Sequence, residues 1–346
     1  MRFGRTPEQH AFSEALDDLL TAADVPSVAR AWTTGDHSVG LKLWQRLADL
    51  GVTGLLVPDE HGGLGANAVD LTVAFDRLGY HGVPGPWIES VAVGPTIVVS
   101  ADADLLEPLA SGEAIVSVAP PRDWPGGNPS TFAGEIFRPQ MARALDADIA
   151  DPTYSLSGGG STTAHRAGRG AARKSVDPTR RLFDVTVGDE ITGIDPGLAL
   201  ERGTLACSAM LHGAGLRLLD DSVAYVKQRT QFGRPIGEFQ AVKHLLADVR
   251  VALDFAAPLV HNAAVELDAE TPTAARAVSA AKVTAGDAAY LASRTALQVH
   301  GAIGYTREFD LSLWILKVRA LVGAWGTPAE HRARILESLV SGEDAR

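Results

Sequence analysis

Arg229-Thr230-Gln231-Phe232-Gly233, followed by Phe239-Gln240, sets a guanidinium beside a glycine and polar side chains. A guanidinium offers a fixed fork of donors to phosphate oxygens, and glycine lets backbone N–H groups approach an anion closely. The plainer use of Arg229 is as a cation at a helix end, where the macrodipole favours it. Gln298-Val299-His300-Gly301-Ala302 again joins an amide to a glycine, and its plainer use is a buried amide that ties two helices together. Other chemistries find no matching residues. Cys207 is the only cysteine, which rules out an internal disulfide, fits a reducing cytoplasm and is too little for a cysteine-based metal site. The histidines do not cluster at ligand spacing, and His244 and His300 fall in expected helices or at their ends. No metal site is expected. Gly62-Gly63-Leu64-Gly65 follows no clear strand and opens no βαβ unit, so a P-loop or dinucleotide fingerprint is missing.

The elements that must position these residues fall into three blocks. From about Thr6 to Leu109 apolar residues recur at helical spacing: Phe12, Leu16, Leu19 and Leu20, then Leu41, Leu43, Trp44, Leu47 and Leu50, then Val69 to Leu78. Asp49-Leu50-Gly51 ends one helix on a glycine able to take the left-handed conformation, and Pro58 to Gly65 is a loop by composition. From about Glu113 to Thr192 the character changes: Ala114 to Ala119 and Leu182 to Val187 read as short strands. Gly158 to Gly160 and the Arg-rich run from His165 to Arg181 read as loops, with Arg166, Arg169, Arg173, Lys174, Arg180 and Arg181 forming either a solvated face or a patch for phosphate or a partner. After Pro196, Leu198 to Lys227, Phe239 to Leu267, Pro272 to His300 and Leu311 to Val322 are amphipathic or nearly so, enough for a bundle of four helices. The expected organisation is a helical domain over 1–112, a β-rich domain over 113–194 and a helical bundle over 195–346.

Composition agrees with a packed protein. Of 346 residues, 46% are apolar and 21% charged, and the net charge of −11 speaks against a polyanionic partner. No basic stripe with interleaved aromatics suggests nucleic-acid binding. The apolar stretch near Val91 to Ser100 is far shorter than the roughly 20 residues that span a bilayer. The start of the chain has no apolar segment of the signal-peptide kind, so a cytoplasmic location is expected.

From Leu205 to Thr327 the sequence resembles the C-terminal domain of acyl-CoA dehydrogenases. The resemblance rests on Arg229 to Gly233 with Phe239-Gln240, on Gln298 to Tyr305 (QVHGAIGY), and on the loop PDEHGGLG with Trp44 and Leu47 ahead of it. It implies a mainly α fold with a central β-domain and FAD held at a subunit interface. It also implies that Arg229 meets the FAD pyrophosphate with Phe232 and Gln240 beside it, and that the turn containing Gln298, Gly301 and Ala302 lies against the adenosine. Thr327 would contribute further along.

The family's reaction needs a carboxylate base to remove the α-proton of an acyl-CoA thioester. The resemblance expects that base in a Tyr-Glu-Gly-Thr stretch, where this chain has Ala324-Trp325-Gly326-Thr327, or at the start of the first bundle helix, where it has Gly203. Neither residue can accept a proton. Glu201 is the substitute within reach, although two residues along a helix turn it about 200° away. Glu308 reads as a structural or surface carboxylate. The family's Thr-Glu-Pro and Gly-Ser-Asp stretches give way to Val118-Ala119-Pro120-Pro121-Arg122-Asp123, its Trp-Ile-Thr strand has no recognisable counterpart between Asp151 and Arg181, and Pro328 and Ala329 replace polar residues that often help hold FAD. A retained adenosine half and a missing base resemble the base-less subunit of actinobacterial steroid side-chain dehydrogenases, in which two different subunits form an α2β2 assembly with one FAD per heterodimer. The partner chain would then supply the carboxylate, the substrate would be a bulky acyl-CoA such as a steroid thioester, and an electron-transfer flavoprotein would accept the electrons. The alternatives are a homo-oligomer using Glu201 or another base, and a non-catalytic scaffold that keeps the fold.

Overall fold

The computed structural model describes residues 4–122, 142–158, 162–306 and 309–342. Helices form first: α1 Pro7–Ala22, α2 Val25–Thr33, α3 Ser38–Asp49, α4 Ala68–His81, α5 Gly94–Ala101 and α6 Leu106–Ala110. Local chemistry sets their ends. The Thr6 hydroxyl accepts the Gln9 N–H at 3.2 Å while the Gln9 side-chain carbonyl accepts the Thr6 N–H at 3.0 Å, which starts α1. Past α3, Gly51 takes a φ of +88° that a side chain would resist. Leu43, Trp44 and Leu47 face the core, and the Trp44 ring stacks on Trp87 with centroids 3.9 Å apart. Between α4 and α5, Ile88–Val93 forms a π-helical turn that is buried throughout.

A five-stranded mixed sheet follows: β1 Ser117–Ala119, β2 Arg143–Leu145, β3 Thr153–Ser157, β4 Thr163–Arg173 and β5 Leu182–Ile191, in the order β1-β3-β4-β5-β2. β1 and β3 run parallel with Val118 opposite Tyr154, and the other pairings are antiparallel. Here the expected loop from His165 to Arg181 is corrected, because its first half is strand β4. Beyond Ala164 no residue of β4 is fully buried, even where it pairs with buried Phe183 and Val185 of β5. A ribbon wetted on both faces has no apolar alternation to reveal it. Gly158 does follow β3 as a non-strand residue, while 159–161, Asp123 and Glu308 lie outside the described residues.

The bundle consists of α7 Pro196–Gln228, a short hairpin of β6 Thr230–Gln231 and β7 Arg234–Pro235, then α8 Gln240–Asp268, α9 Ala274–His300 and α10 Leu311–Gly323. A further helix, α11 Pro328–Ser341, packs on α9. It starts at Thr327, whose hydroxyl accepts the Glu330 N–H at 3.3 Å while the Glu330 carboxylate accepts the Thr327 N–H at 2.8 Å. The resulting architecture is mainly α with a central β-domain.

The two helical blocks meet where α4 crosses α7. A Cβ at Gly79 would lie 2.1 Å from the Met210 carbonyl oxygen, and one at Gly213 would lie 1.8 Å from that of Asp76. Only glycine lets the backbones approach so closely. Beside this crossing Asp76 is buried, accepts the His212 Nδ1–H at 2.6 Å and pairs with Arg77. Burial alone would raise the Asp76 carboxyl, but His212 and Arg77 outweigh it and hold the group well below the usual carboxylate range. Such a group contributes stability above its unfolded pKa of about 3.9 and loses it as pH falls toward the lower folded value. The melting temperature, followed by circular dichroism, should therefore drop between about pH 5 and pH 3. Asp76→Asn should flatten that drop and lower the neutral-pH melting temperature, since it takes the nearer of two carboxylates from half-buried Arg77 and leaves it only Asp17; an acid profile identical to wild type would remove this network from the account.

Candidate functional site

A pocket of about 660 Å³ opens between the π-helical turn, the sheet and the segment joining α10 to α11. Its walls hold Arg122, Arg143, Lys174, Arg180 and Arg319 against the carboxyls of Glu89 and Glu330. The Arg-rich run thus divides. Lys174 and Arg180 face the pocket, whereas Arg173 pairs with Asp184, Arg181 with Asp148, and Arg166 donates to the Ala101 carbonyl at 3.1 Å. Glu89 is 2% exposed, and its Oε2 has no hydrogen-bond partner among the described residues. Burial raises its carboxyl, with the Arg180 charge offsetting part of the effect. The sequence reading missed Glu89. The signal was a lone carboxylate in the apolar run Trp87-Ile88-Glu89-Ser90-Val91-Ala92-Val93, a placement that is costly without a role.

The turn between α10 and α11 is held from several sides. The Lys282 ammonium, 1% exposed, donates to the carbonyls of Leu321, Val322 and Gly326 at 3.2, 3.0 and 3.2 Å, at the end of α10 and just beyond it. Burial and the Lys282 charge push His331 down to about 3, so its imidazole is neutral at neutral pH. Its Nε2–H donates to the Trp325 carbonyl at 2.8 Å while Nδ1 accepts the Ser279 hydroxyl at 3.1 Å. These ties hold Trp325 at a φ of +54°, a conformation a bulky residue adopts only when its surroundings impose it. Its ring, 1% exposed, covers Gly203 so closely that a Cβ there would lie 2.5 Å from the indole.

Glu201, two residues before Gly203, points elsewhere: it is buried, pairs with Arg334 of α11, and is absent from the walls of this pocket. Thr327 does line the pocket. The other sequence-selected residues gather at the opposite end of α7. Tyr225 near the end of α7 stacks on His300 at the end of α9, centroids 4.2 Å apart, so the helix ends that lead into Arg229 and into the Gln298 to Ala302 turn lie together. Arg229, Phe232, Gln240, Gln298, Gly301 and Ala302 are all exposed, Phe232 to 90%. Gln298 is therefore not a buried helix tie. At Gly301, φ is +62° and a Cβ would meet no atom within 4 Å. Among the described residues no three His, Cys, Asp or Glu side chains group as metal ligands, and no helix is long and apolar enough to cross a membrane.

Comparison with known proteins decides the family. Residues 6–113 match the acyl-CoA dehydrogenase N-terminal domain and residues 194–340 the acyl-CoA dehydrogenase C-terminal domain. The acyl-CoA dehydrogenase IpdE2 of Mycolicibacterium smegmatis is 30% identical over 330 residues, covering 95% of this chain and 97% of that one. The chain belongs to the acyl-CoA dehydrogenase family. Its fold is shared with the ChsE4–ChsE5 complex from Mycobacterium tuberculosis, with a TM-score of 0.81, 21% identity, and 98% and 99% of the two chains covered. A steroid acyl-CoA dehydrogenase, Tcur3481–Tcur3483, has a TM-score of 0.81 at 19% identity, covering 98% of this chain and 99% of that one.

For a member of this oxidoreductase family, the contact between Trp325 and Gly203 has a specific meaning. The resemblance offers those two positions for the base, and here they fill one another. The contact predicts energetic coupling. Gly203→Ala should destabilise the chain by about 1–3 kcal/mol. In a Trp325→Leu background that cost should shrink, giving a coupling above about 0.5 kcal/mol in a double-mutant cycle by denaturant unfolding. Additive effects would mean that the ring does not occupy the space over Gly203.

Proposed function

We propose that this chain is one subunit of a heteromeric FAD-dependent acyl-CoA dehydrogenase, contributing the adenosine side of a flavin site whose catalytic carboxylate belongs to a second, homologous chain. The observation that carries the reading is the Trp325–Gly203 contact: the indole occupies the spot where either version of the family's base would stand. Glu201, tied to Arg334, does not reach that spot. Glu89 stands at neither of the two positions that the resemblance offers for the base.

The far end of the bundle fits an anionic cofactor shared with a partner. The Arg229 guanidinium would engage the pyrophosphate, Phe232 and Gln240 would flank it, and the open Gly301 turn would let backbone N–H groups approach the adenosine end. Bound FAD supplies a hydride acceptor for the substrate's β-hydrogen. This chain's own residues bind and orient that cofactor, and leave the α-proton to a carboxylate of the partner. Thr327, at the other end of α7, stands outside this half-site.

The surface supports a partner of similar fold. Val251, Phe255 and Leu259 of α8, spaced by four residues along one face, are 53%, 70% and 39% exposed, an apolar stripe that monomers rarely leave open. The fold shared with the ChsE4–ChsE5 complex supports two different chains, and the steroid acyl-CoA dehydrogenase of the same fold supports a bulky acyl-CoA substrate. Electrons would pass to an electron-transfer flavoprotein.

The test is flavin absorbance and stoichiometry of the chain purified alone and after co-expression with a neighbouring homologous gene. The expected result is colourless alone and one FAD per two chains together; a yellow, active single chain would overturn the proposal. In the assembled enzyme, Arg229→Ala should weaken FAD retention by about 10- to 100-fold, the worth of a charged hydrogen bond of roughly 1.5–3 kcal/mol. Glu201→Gln should leave turnover within about twofold, and a loss of a hundredfold or more would make Glu201 the base.

A further inference from the structure

A second pocket, of about 240 Å³, lies where α4, α7 and α8 meet. His212 lines it from α7, nine positions after Gly203, which is about two and a half turns and hence the opposite face of that helix. Arg229 is seventeen positions further on, about 25 Å along the helix. The pocket thus stands apart from both the Trp325 side and the cofactor half-site. We propose that it binds a small monocarboxylate whose apolar body is about the size of a phenyl ring, held by the Arg5 guanidinium and the His212 imidazole.

The polar part of the wall has donors to offer and its carboxylate already engaged. Asp76 is the only carboxylate among the described lining residues. Its Oδ1 accepts from His212 at 2.6 Å, and its Oδ2 pairs with Arg77 at 2.5 Å and lies 3.5 Å from Arg5. A cationic ligand would find no open carboxylate oxygen here. The donors are only partly used. Arg5 donates through Nη1 to the Ser13 hydroxyl at 3.0 Å and turns Nη2 toward Asp76, out of five N–H donors in a guanidinium. The His212 Nδ1 is committed to Asp76, which leaves Nε2 for a ligand. A carboxylate between these two groups meets the planar fork of the guanidinium, and Asp76 behind the imidazole fixes which nitrogen faces it.

The remainder of the wall is apolar and reaches inward. Val73, Ala209 and Val260 are buried, whereas Arg5, Ala257 and Pro258 are half-buried nearer the surface. The wall from α8 falls at that helix's internal proline: Pro258 has no N–H for the Asp254 carbonyl, so the ladder of backbone bonds is broken beside the pocket. A dry cavity of about 150 Å³ is enough for benzene, and the larger volume here accommodates a ring with its carboxylate. Inorganic phosphate would leave the apolar floor bare, and an uncharged aromatic would leave the donors unmet.

Benzoate is the probe, titrated calorimetrically at low ionic strength into the full chain in the assembly with which it purifies. One site per chain is expected, with benzamide and inorganic phosphate each at least about tenfold weaker. Arg5→Gln and His212→Gln should each weaken benzoate by about tenfold or more, and Ala257→Phe, which fills the apolar wall without touching a charge, should abolish binding. If His212→Gln fails to fold because Asp76 loses its partner, Arg5→Gln and Ala257→Phe still decide the matter. Arg180→Gln beside Trp325, Arg229→Ala at the bundle end and saturation with FAD should all leave benzoate binding unchanged. Absence of binding, equal affinity for benzoate and benzamide, wild-type affinity in Arg5→Gln or Ala257→Phe, or loss of binding in Arg180→Gln, in Arg229→Ala or on adding FAD would each overturn the proposal, the last three because the ligand would then sit in another pocket.

Discussion

The crossing of α4 over α7 is the constraint on which the rest of the structure depends. Gly79 and Gly213 let the helix backbones approach to the distance at which each carbonyl fills the place of the other helix's missing Cβ. That closeness brings Asp76 against His212, and it brings Tyr80 far enough for its carbonyl to accept the Trp314 indole N–H of α10 at 2.9 Å. The N-terminal helices are thereby fixed to α7 and α10 together. The π-helical turn that follows α4 packs on α7 and β1, so the position of Glu89 is inherited from the crossing. A one-carbon change at either glycine would push α4 and α7 apart.

A second layer of constraint holds the pocket's floor. Lys282 and His331 carry no obvious chemistry toward a ligand, yet between them they bond the carbonyls of Leu321, Val322, Trp325 and Gly326. Burial lowers both from their ordinary values, and His331, pushed down to about 3, is neutral at neutral pH. Their work is positional: they keep a tryptophan at positive φ over a glycine. The indole is therefore an integral part of the core, and the absence of a carboxylate at this spot is built into the packing around it.

The bundle was legible in the sequence because its helices obey one period over long spans. Leu198 to Lys227 appears as α7 Pro196–Gln228, and Phe239 to Leu267 as α8 Gln240–Asp268. The exposed end of the bundle was legible for the same reason, since residues at helix ends announce themselves by glycine, arginine and amide. Strand β4 was not, because its Arg-rich half is solvated on both faces and alternation exists only where one face is buried. Helix α11 escaped because its apolar residues Leu336, Leu339 and Val340 remain exposed and its anchors are His331 and Arg334, polar residues that periodicity does not count. Glu89 escaped for the opposite reason: it is polar inside a buried apolar run, and only the three-dimensional position of the pocket gives it meaning.

The length of α7 explains how one half of a site can change without the other. Gly203 and Arg229 are 26 positions apart on this helix and its cap, about 39 Å at 1.5 Å per residue. Side chains at that separation share no partners and are expected to act independently. A tryptophan can thus close the Gly203 end while the Arg229 end keeps an open, cationic and glycine-bearing surface. In the heteromer proposed above, each such end would face a neighbour, so a loss at one end of one subunit would be complemented by an intact end of another. On that proposal, a fold whose site is divided between the two ends of one helix would support two non-identical chains, each retaining the end that the other needs.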